Sequence, residues 1–238
     1  MACNGREFTS AVIVAGGKGE RLGGNIRKQY LKLGGRSILG RTLSIFAGLV
    51  EIDELIVVAP EADIGFIEGE LIPSELGALI SSKQIKITEG GANRQESAMA
   101  GLAAINDRCG IVLIHDAVRP FTQSSHILRV IEKAREYGGS IIAVPVKDTI
   151  KRCDEGFITQ TVLRDGLWSA QTPQAFDAAK LRRAHNLAAH RGITVTDDAA
   201  LFEELGYEVA VVEGSATNIK ITTEEDLDLA KAILEIIT

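Results

Sequence analysis

The sequence AVIVAGGKGERLGG, residues 11–24, decides the fold, because it joins an apolar, β-branched run directly to a glycine-rich loop. A strand that ends in such a loop brings backbone N–H groups close to an anion, since residues without Cβ let a phosphate chain approach. Arg21 in the loop and Lys28 shortly after it add positive charge at the same place. The stretch therefore predicts a phosphate-binding loop, with a flexible connection as the alternative.

Two common phosphate-binding patterns are absent from this loop. The dinucleotide fingerprint G-x-G-x-x-G needs a third glycine where the chain has Leu22. The P-loop ends in Gly-Lys-Ser or Gly-Lys-Thr, whereas residues 23–25 of this chain are Gly-Gly-Asn. A nucleotide-binding oxidoreductase is therefore disfavoured, and the predicted phosphate site follows neither pattern.

Apolar, β-branched runs recur along the chain, and several of the segments between them have helical periodicity. The runs lie at residues 11–15, 54–59, 84–88, 111–114, 140–146 and 209–212. Such alternation is typical of a mainly parallel sheet covered by helices. We therefore predict a single Rossmann-like α/β domain over residues 1–238.

Two of the helices can be placed from their apolar stripes. Ala98, Leu102 and Ile105 share one face of the first. The second is the last helix of the chain, where Thr222 and Glu225 have the spacing of a capping box. Its predicted apolar face consists of Leu227, Ala230, Ile233 and Leu234.

The segment 147–167 breaks the alternation. It contains two short β segments around residues 154–156, Asp-Glu-Gly, which predict an inserted hairpin that projects from the domain as a β-arm. An isolated hairpin is only marginally stable in water and cannot bury apolar side chains such as Ile158 and Leu163. We therefore expect the arms of two subunits to pack together in a homodimer.

Composition and charge narrow the class of protein. The chain has 238 residues, 45% of them hydrophobic, which is enough for a buried core. A net charge of −6 and a pI near 5.4 disfavour binding to nucleic acid or to an anionic membrane, because both need a dense basic surface. We see no secretion signal and no membrane span. Cys3, Cys109 and Cys153 are widely spaced, so we expect no disulfide framework or zinc site, and a cytoplasmic location fits best.

Polar residues just after the apolar runs are the candidate site residues, because an open parallel sheet binds ligands at the carboxyl ends of its strands. Four such segments follow the runs, at residues 16–28, 89–94, 115–120 and 147–149. Asp116, in the third segment, is a candidate ligand for Mg²⁺, since one carboxylate suffices when substrate phosphates supply further oxygens. A structural salt bridge to Arg119 is the alternative.

Three further groups have both a functional and a structural interpretation. Arg94 and Ser97 open a helix where an anion or the polar edge of a base can bind, or where the residues simply cap the helix. Lys220 lies in an apolar alternation, where a solvated surface lysine is the default. His115 is either a general base or a hydrogen-bonded structural residue.

Taken in order, these motifs resemble one family closely, the 2-C-methyl-D-erythritol 4-phosphate cytidylyltransferases of the non-mevalonate route to isoprenoids. The matching stretches are AGGKGER at 15–21, KQY at 28–30, GGANRQES at 90–97, HDAVRP at 115–120, VPVKDT at 144–149, LWSAQTPQ at 167–174, TDDA at 196–199, VEG at 212–214 and NIK at 218–220. They cover nearly the whole chain.

The resemblance implies a nucleotidyltransferase that depends on Mg²⁺ or another divalent cation and transfers a cytidylyl group from CTP to a sugar-alcohol phosphate. By residue-level correspondence, the implied catalytic residues are Arg21, Lys28, Arg164 and Lys220. The implied nucleotide-binding residues are Ala15, Gly16, Gly17, Gly19, Gly90, Gly91, Arg94, Ser97 and Ala117. The residues implied to position the sugar phosphate are Arg119, Thr149, Arg164, Thr172, Thr196 and Lys220, and the implied metal ligand is Asp116.

Two positions depart from the family pattern, and two alternatives stay open. Family members commonly carry proline where this chain has Arg27, and many carry an acidic residue where Ala92 or Asn93 stands. A ribitol 5-phosphate cytidylyltransferase would share the nucleotide half of the site. A non-catalytic nucleotide sensor is disfavoured by the joint presence of two basic residues and Asp116.

Overall fold

A computed structural model of the protein describes residues 6–16, 26–80 and 83–237. The strands are β1 (Phe8–Val14), β2 (Lys32–Leu33), β3 (Arg36–Ser37), β4 (Glu54–Ala59), β5 (Gln84–Glu89), β6 (Cys109–Asp116), β7 (Gly139–Pro145), β8 (Ile150–Asp154), β9 (Phe157–Val162), β10 (Trp168–Asp177) and β11 (Ala210–Glu213). The α-helices are α1 (Ile38–Ala47), α2 (Glu61–Phe66), α3 (Ile72–Leu76), α4 (Arg94–Ala104), α5 (Ser124–Tyr137), α6 (Ala178–Arg191), α7 (Asp198–Glu204) and α8 (Glu224–Ile237). Short 3₁₀ turns lie at Lys28–Tyr30 and Gly77–Ile80, and a π-helical stretch at Ile67–Leu71 joins α2 to α3.

Seven of the strands in the described ranges form one sheet, in the order β11-β7-β10-β6-β1-β4-β5. Strands β6, β1, β4 and β5 pair in parallel, as do β11 and β7. Strand β10 runs antiparallel to both of its neighbours, β6 and β7. The prediction of a mainly parallel α/β sheet is confirmed, and each predicted apolar run lies largely within one of its strands.

Strand β10 was not among the predicted strands, and its sequence explains why. It contains Pro173, a residue normally confined to edge strands and bulges because it cannot donate to the ladder. The pairing of β10 with β7 shifts register between Gln171 and Gln174, so the proline lies at an irregularity of the ladder. A proline-containing central strand is therefore tolerated here.

Helices cover both faces of the sheet, and successive side chains of β1 pack against opposite layers of helices. Ile13 faces the hydrophobic cluster under α1 and α5, whereas Val12 faces the cluster under α4, α6 and α7. Burying both faces explains why the central strands are continuously apolar. No helix among the described residues is long and apolar enough to cross a bilayer.

The predicted apolar residues of both helices pack into the core, although Ile105 lies just after the end of α4 in an extended conformation. The capping box of the last helix lies one residue further along than predicted. Thr223 Oγ1 accepts a hydrogen bond from Asp226 N–H at 3.2 Å, and Asp226 Oδ2 accepts one from Thr223 N–H at 2.9 Å. Thr222 also donates to Asp226, through both its N–H and its hydroxyl. The Asp226 carboxylate therefore takes the role predicted for Glu225, which is exposed.

The predicted hairpin is present. Strands β8 and β9 pair antiparallel, and Glu155 and Gly156 form the turn with φ of 46° and 86°. The arm exposes apolar side chains, with Phe157 77% and Leu163 82% exposed in the single chain. Pairing of two such arms in a dimer stays a prediction.

Candidate active site

A cleft of about 600 Å³ opens at the carboxyl ends of β1, β4, β5 and β6. The lining residues are Val14, Ala15, Gly16, Arg27, Lys28, Gln29, Pro60, Glu61, Glu89, Gly90, Gly91, Ala92, Asn93, Arg94, Ser97, Asp116, Ala117, Val118 and Lys220. Three of the four predicted segments therefore meet at this cleft. Residues 147–149 are not among those that line it.

Asp116 lies at the end of β6, where it lines the cleft and is 6% exposed. Its Oδ1 accepts a hydrogen bond from Arg94 Nε at 3.1 Å. Its Oδ2 lies 2.8 Å from Lys220 Nζ and 3.6 Å from Arg119 Nε. Burial opposes ionisation of this carboxyl, but the adjacent cations, Lys220 first, hold its pKa well below the usual range. The predicted ion pair with Arg119 exists, and it is the longest of the three.

Lys220 is directed at the cleft by the residues on either side of it. Ile219 and Ile221 pack into the hydrophobic cluster beneath α8, and Ile221 N–H donates to Val118 O at 3.0 Å. Packing of Ile219 and Ile221 therefore fixes the backbone on both sides of Lys220. Its ion pair with Asp116 rules out the interpretation of Lys220 as a solvated surface residue without a partner.

The loop that carries Lys220 is tied to β10 through Asn218, which is fully buried. Asn218 Nδ2 donates to Gln171 Oε1 and to Thr172 O, both at 3.0 Å. Its Oδ1 accepts from Thr122 Oγ1 at 2.8 Å, and its carbonyl oxygen accepts from Arg119 Nη1 at 2.7 Å. The sequence shows Asn218 only as part of a motif, because its partners lie 46 to 99 residues away.

His115 is a structural residue and not a general base. It is fully buried, its Nε2 lies 3.2 Å from Arg119 O, and its Nδ1 lies 3.0 Å from Thr172 Oγ1. A carbonyl only accepts, so Nε2 carries the proton and Nδ1 accepts from the Thr172 hydroxyl. Burial lowers the pKa of His115 to about 3, so the ring is neutral. The same hydroxyl accepts from Asp116 N–H at 3.0 Å, so Thr172 helps to hold Asp116 in place.

Arg94 joins two carboxylates and extends the charged cluster away from the cleft. Besides Asp116, its Nη1 donates to Asp198 Oδ2 at 2.8 Å, and Asp198 Oδ1 lies 3.0 Å from Nε2 of buried His185. Burial opposes the charge on Arg94, but the two carboxylates raise its pKa above the usual value. Sequence reasoning missed the roles of Asp198 and His185, since Asp198 and Arg94 are 104 residues apart.

Ser97, in the first turn of α4, leaves little room for a side chain at two glycine positions of the cleft. A Cβ on Gly90 would lie 2.9 Å from Ser97 Oγ, and one on Gly16 would lie 3.1 Å from the same atom. Ser97 donates to Asn93 O at 2.8 Å, and Asn93 Oδ1 accepts from Glu96 N–H at 2.9 Å. The capping interpretation of this helix start therefore holds, while the same residues also line the cleft.

Three further predicted site residues within the described ranges are not among those that line the cleft. Thr149, Arg164 and Thr196 are exposed, and Arg164 Nη1 donates to the carbonyl oxygen of Lys147 at the base of the arm. Gly17, Gly19 and Arg21 lie outside the described residues.

The Asp116 carboxylate suits a divalent cation whose other ligands are oxygens of the substrate phosphates. No group of three or more His, Cys, Asp or Glu side chains suited to a metal lies within the described ranges. Asp116 is nevertheless an ionised carboxylate at the cleft that already attracts three cationic groups. Mg²⁺ is commonly held by one or two carboxylates together with substrate phosphates, so Asp116 suffices as the protein's contribution.

With this geometry established, comparison with known proteins identifies the family. The family model for IspD, 2-C-methyl-D-erythritol 4-phosphate cytidylyltransferase, matches residues 9–236. The chain belongs to this family.

Relatives support the family over nearly the full length of the chain. The 2-C-methyl-D-erythritol 4-phosphate cytidylyltransferase of Geotalea uraniireducens is 44% identical over 228 residues, which cover 95% of this chain and 96% of the relative. That of Halalkalibacterium halodurans is also 44% identical, over 94% of this chain and 96% of the relative. The crystal structure of 4-diphosphocytidyl-2C-methyl-D-erythritol synthase from Anaerococcus prevotii has a TM-score of 0.84 at 34% identity and covers 96% of each chain.

Proposed function

We propose that this cleft transfers the cytidylyl group of CTP to 2-C-methyl-D-erythritol 4-phosphate and releases pyrophosphate. The observation that carries the proposal is the convergence of Lys28, Asp116 and Lys220 on one cleft at the carboxyl ends of parallel strands, in a chain of this family. A phosphate oxygen of the acceptor forms a bond to the α-phosphorus of CTP. The bond from that phosphorus to the oxygen bridging to the β-phosphate breaks, and pyrophosphate leaves.

The residues of the cleft suit a reaction that needs alignment and charge neutralisation rather than a protein nucleophile. Lys28 and Lys220 neutralise negative charge on the transferring group. Gly90 and Gly91 leave room for the base and ribose against the start of α4. Asp116 would hold Mg²⁺, which when bound neutralises phosphate charge and orients the phosphate chain.

Pyrophosphate release tests the reaction and its acceptor. The protein is incubated with CTP and Mg²⁺, and with either 2-C-methyl-D-erythritol 4-phosphate or ribitol 5-phosphate. We expect release that depends on the methylerythritol phosphate. Equal or faster release with ribitol 5-phosphate would reassign the acceptor, and no release with either one would refute the transfer reaction.

We propose further that the chain acts as a homodimer in which each arm supplies Arg164 to the partner's site. The arm exposes Phe157, Ile158 and Leu163, and Arg164 does not line the cleft of its own chain. A two-fold interface would give both sites the same borrowed residue.

A subunit-mixing experiment tests whether the site is shared between subunits. Arg164→Ala and Lys28→Ala proteins, each nearly inactive, should regain activity when mixed, because some mixed dimers contain one site with both groups intact. We expect up to about a quarter of wild-type activity after full random exchange, since half of the dimers are mixed and each holds one intact site of two. Verified exchange without recovery, or a monomer at assay concentration, would contradict the shared site.

A further inference from the structure

The short turn that carries Lys28 is fixed on both sides of the lysine. Arg27 adopts φ −63° and ψ 139°, and Lys28–Tyr30 then form one 3₁₀ turn. Gln29 is 1% exposed, and its Nε2 donates to Ala15 O at 2.8 Å, which joins the turn to the end of β1. Lys28 lines the cleft from this turn.

Arg27 and Tyr30 flank the pair Lys28–Gln29, and both contact the same oxygen atom of Asp63 on α2. Arg27 Nε lies 2.8 Å from Asp63 Oδ2, and the Tyr30 hydroxyl donates to the same oxygen at 2.8 Å. The Tyr30 ring packs edge-on against Phe66 of the same helix, with ring centroids 5.3 Å apart. Burial, and then the hydrogen bond to Asp63, raise the pKa of Tyr30, so the phenol stays a proton donor.

Asp63 itself does not line the cleft, although Pro60 and Glu61 of the same segment do. Its side chain is 16% exposed, and its carboxylate is occupied by the two residues that flank the Lys28 turn. The carboxylate therefore acts on the cleft through the residues on either side of the Lys28–Gln29 pair, and one of these, Arg27, itself lines the cleft.

We propose that Asp63 is a positioning residue for the transfer reaction, because it clamps both ends of the Lys28 turn and so sets the direction in which Lys28 enters the cleft. This inference rests on the proposed function, in which Lys28 neutralises charge on the transferring group. A displacement of about 1 Å at such a group can cost about a hundredfold in rate.

The conformation of Arg27 provides an independent way to test the clamp. Its φ of −63° is the value that a proline ring imposes. Among the hydrogen bonds between described residues, none uses the Arg27 N–H. Proline at this position would therefore fix φ by covalent geometry, without help from Asp63.

Steady-state kinetics with CTP, Mg²⁺ and 2-C-methyl-D-erythritol 4-phosphate compare Asp63→Ala, Arg27→Pro and the double variant. We expect Asp63→Ala to lower kcat about tenfold or more with a smaller change in the KM for CTP, because charge neutralisation is used mainly in the transition state. Arg27 lines the cleft, so Arg27→Pro is measured on its own as the reference background, in which removal of the Asp63 carboxylate should lower kcat less than it does in the wild type. The double variant should exceed Asp63→Ala in kcat by about threefold or more, because the proline restores one end of the turn.

Control variants separate the clamp from general effects. Glu68→Ala removes an exposed acidic residue from the adjacent π-helical stretch and should leave kcat unchanged. Tyr30→Phe removes the second hydrogen bond to Asp63 while keeping a ring that packs on Phe66, and it should lower kcat less than Asp63→Ala. Thermal unfolding confirms that each protein is folded at assay temperature, and Asp63→Asn replaces Asp63→Ala if the latter does not fold.

The outcomes distinguish this inference from the proposed function. If wild-type protein releases pyrophosphate while Asp63→Ala stays within about twofold of its kcat, the clamp is refuted and the function stands. Failure of Arg27→Pro to raise the kcat of a folded Asp63 variant also refutes it. Wild-type protein that releases no pyrophosphate would refute the function and the role of Asp63 together.

Discussion

Replacing Lys28 by alanine should lower kcat by about a hundredfold or more, because loss of a donor aimed at developing charge typically costs about 3 kcal/mol of transition-state stabilisation. The free energy of unfolding should change little by comparison. The turn is anchored by its neighbours, through Gln29 to Ala15 and through Tyr30 to Asp63. Steady-state pyrophosphate release and urea unfolding of the same protein samples measure the two quantities.

The matched control for this variant is Lys231→Ala, which removes an exposed lysine of α8 that pairs with Asp228. It should leave kcat unchanged. Arg21→Ala is expected to act in the same direction as Lys28→Ala, on the basis of the sequence alone. Near-normal kcat in Lys28→Ala would show that Lys28 does not stabilise the transition state of the transfer.

The cleft could be predicted from the sequence because one topological rule governs its position. The apolar runs in the sequence predicted β1, β5 and β6. Because these strands run parallel, the polar residues that follow them lie at the same edge of the sheet. The rule needs only the order of apolar and polar residues along the chain. It therefore located Asp116 and the glycines at 90–91 without any knowledge of distant contacts.

The support behind the cleft could not be predicted in this way, because it consists of contacts between distant residues. Asp198 and His185 stabilise Arg94 from α7 and α6, and nothing in their local sequence marks them as partners. Strand β10 was missed because Pro173 conflicts with strand propensity, and pairing on both sides overrides that propensity. Asp63 is likewise visible only once α2 is packed beside the Lys28 turn.

Replacing Asp116 by asparagine separates its two roles, because the variant keeps the shape of the side chain and removes the charge. If Asp116 holds Mg²⁺ with the substrate phosphates, the variant should need much more Mg²⁺ for half-maximal activity. Its kcat/KM at saturating metal should still fall by about a hundredfold, a loss typical of removing an electrostatic stabiliser from an active site. Pyrophosphate release measured over a series of Mg²⁺ concentrations reports both values.

The same substitution should also lower stability, because Arg94, Arg119 and Lys220 lose a charged partner. Removal of one partner of a buried ion pair typically costs about 3 kcal/mol, which urea unfolding detects. Asp198→Asn is the matched control, since Asp198 is buried, pairs with Arg94 and does not line the cleft. We expect Asp198→Asn to lose stability while the Mg²⁺ concentration for half-maximal activity stays near that of the wild type. If Asp116→Asn instead loses stability alone, with full turnover and an unchanged Mg²⁺ titration, then Asp116 serves only as the anion that holds the three cations together.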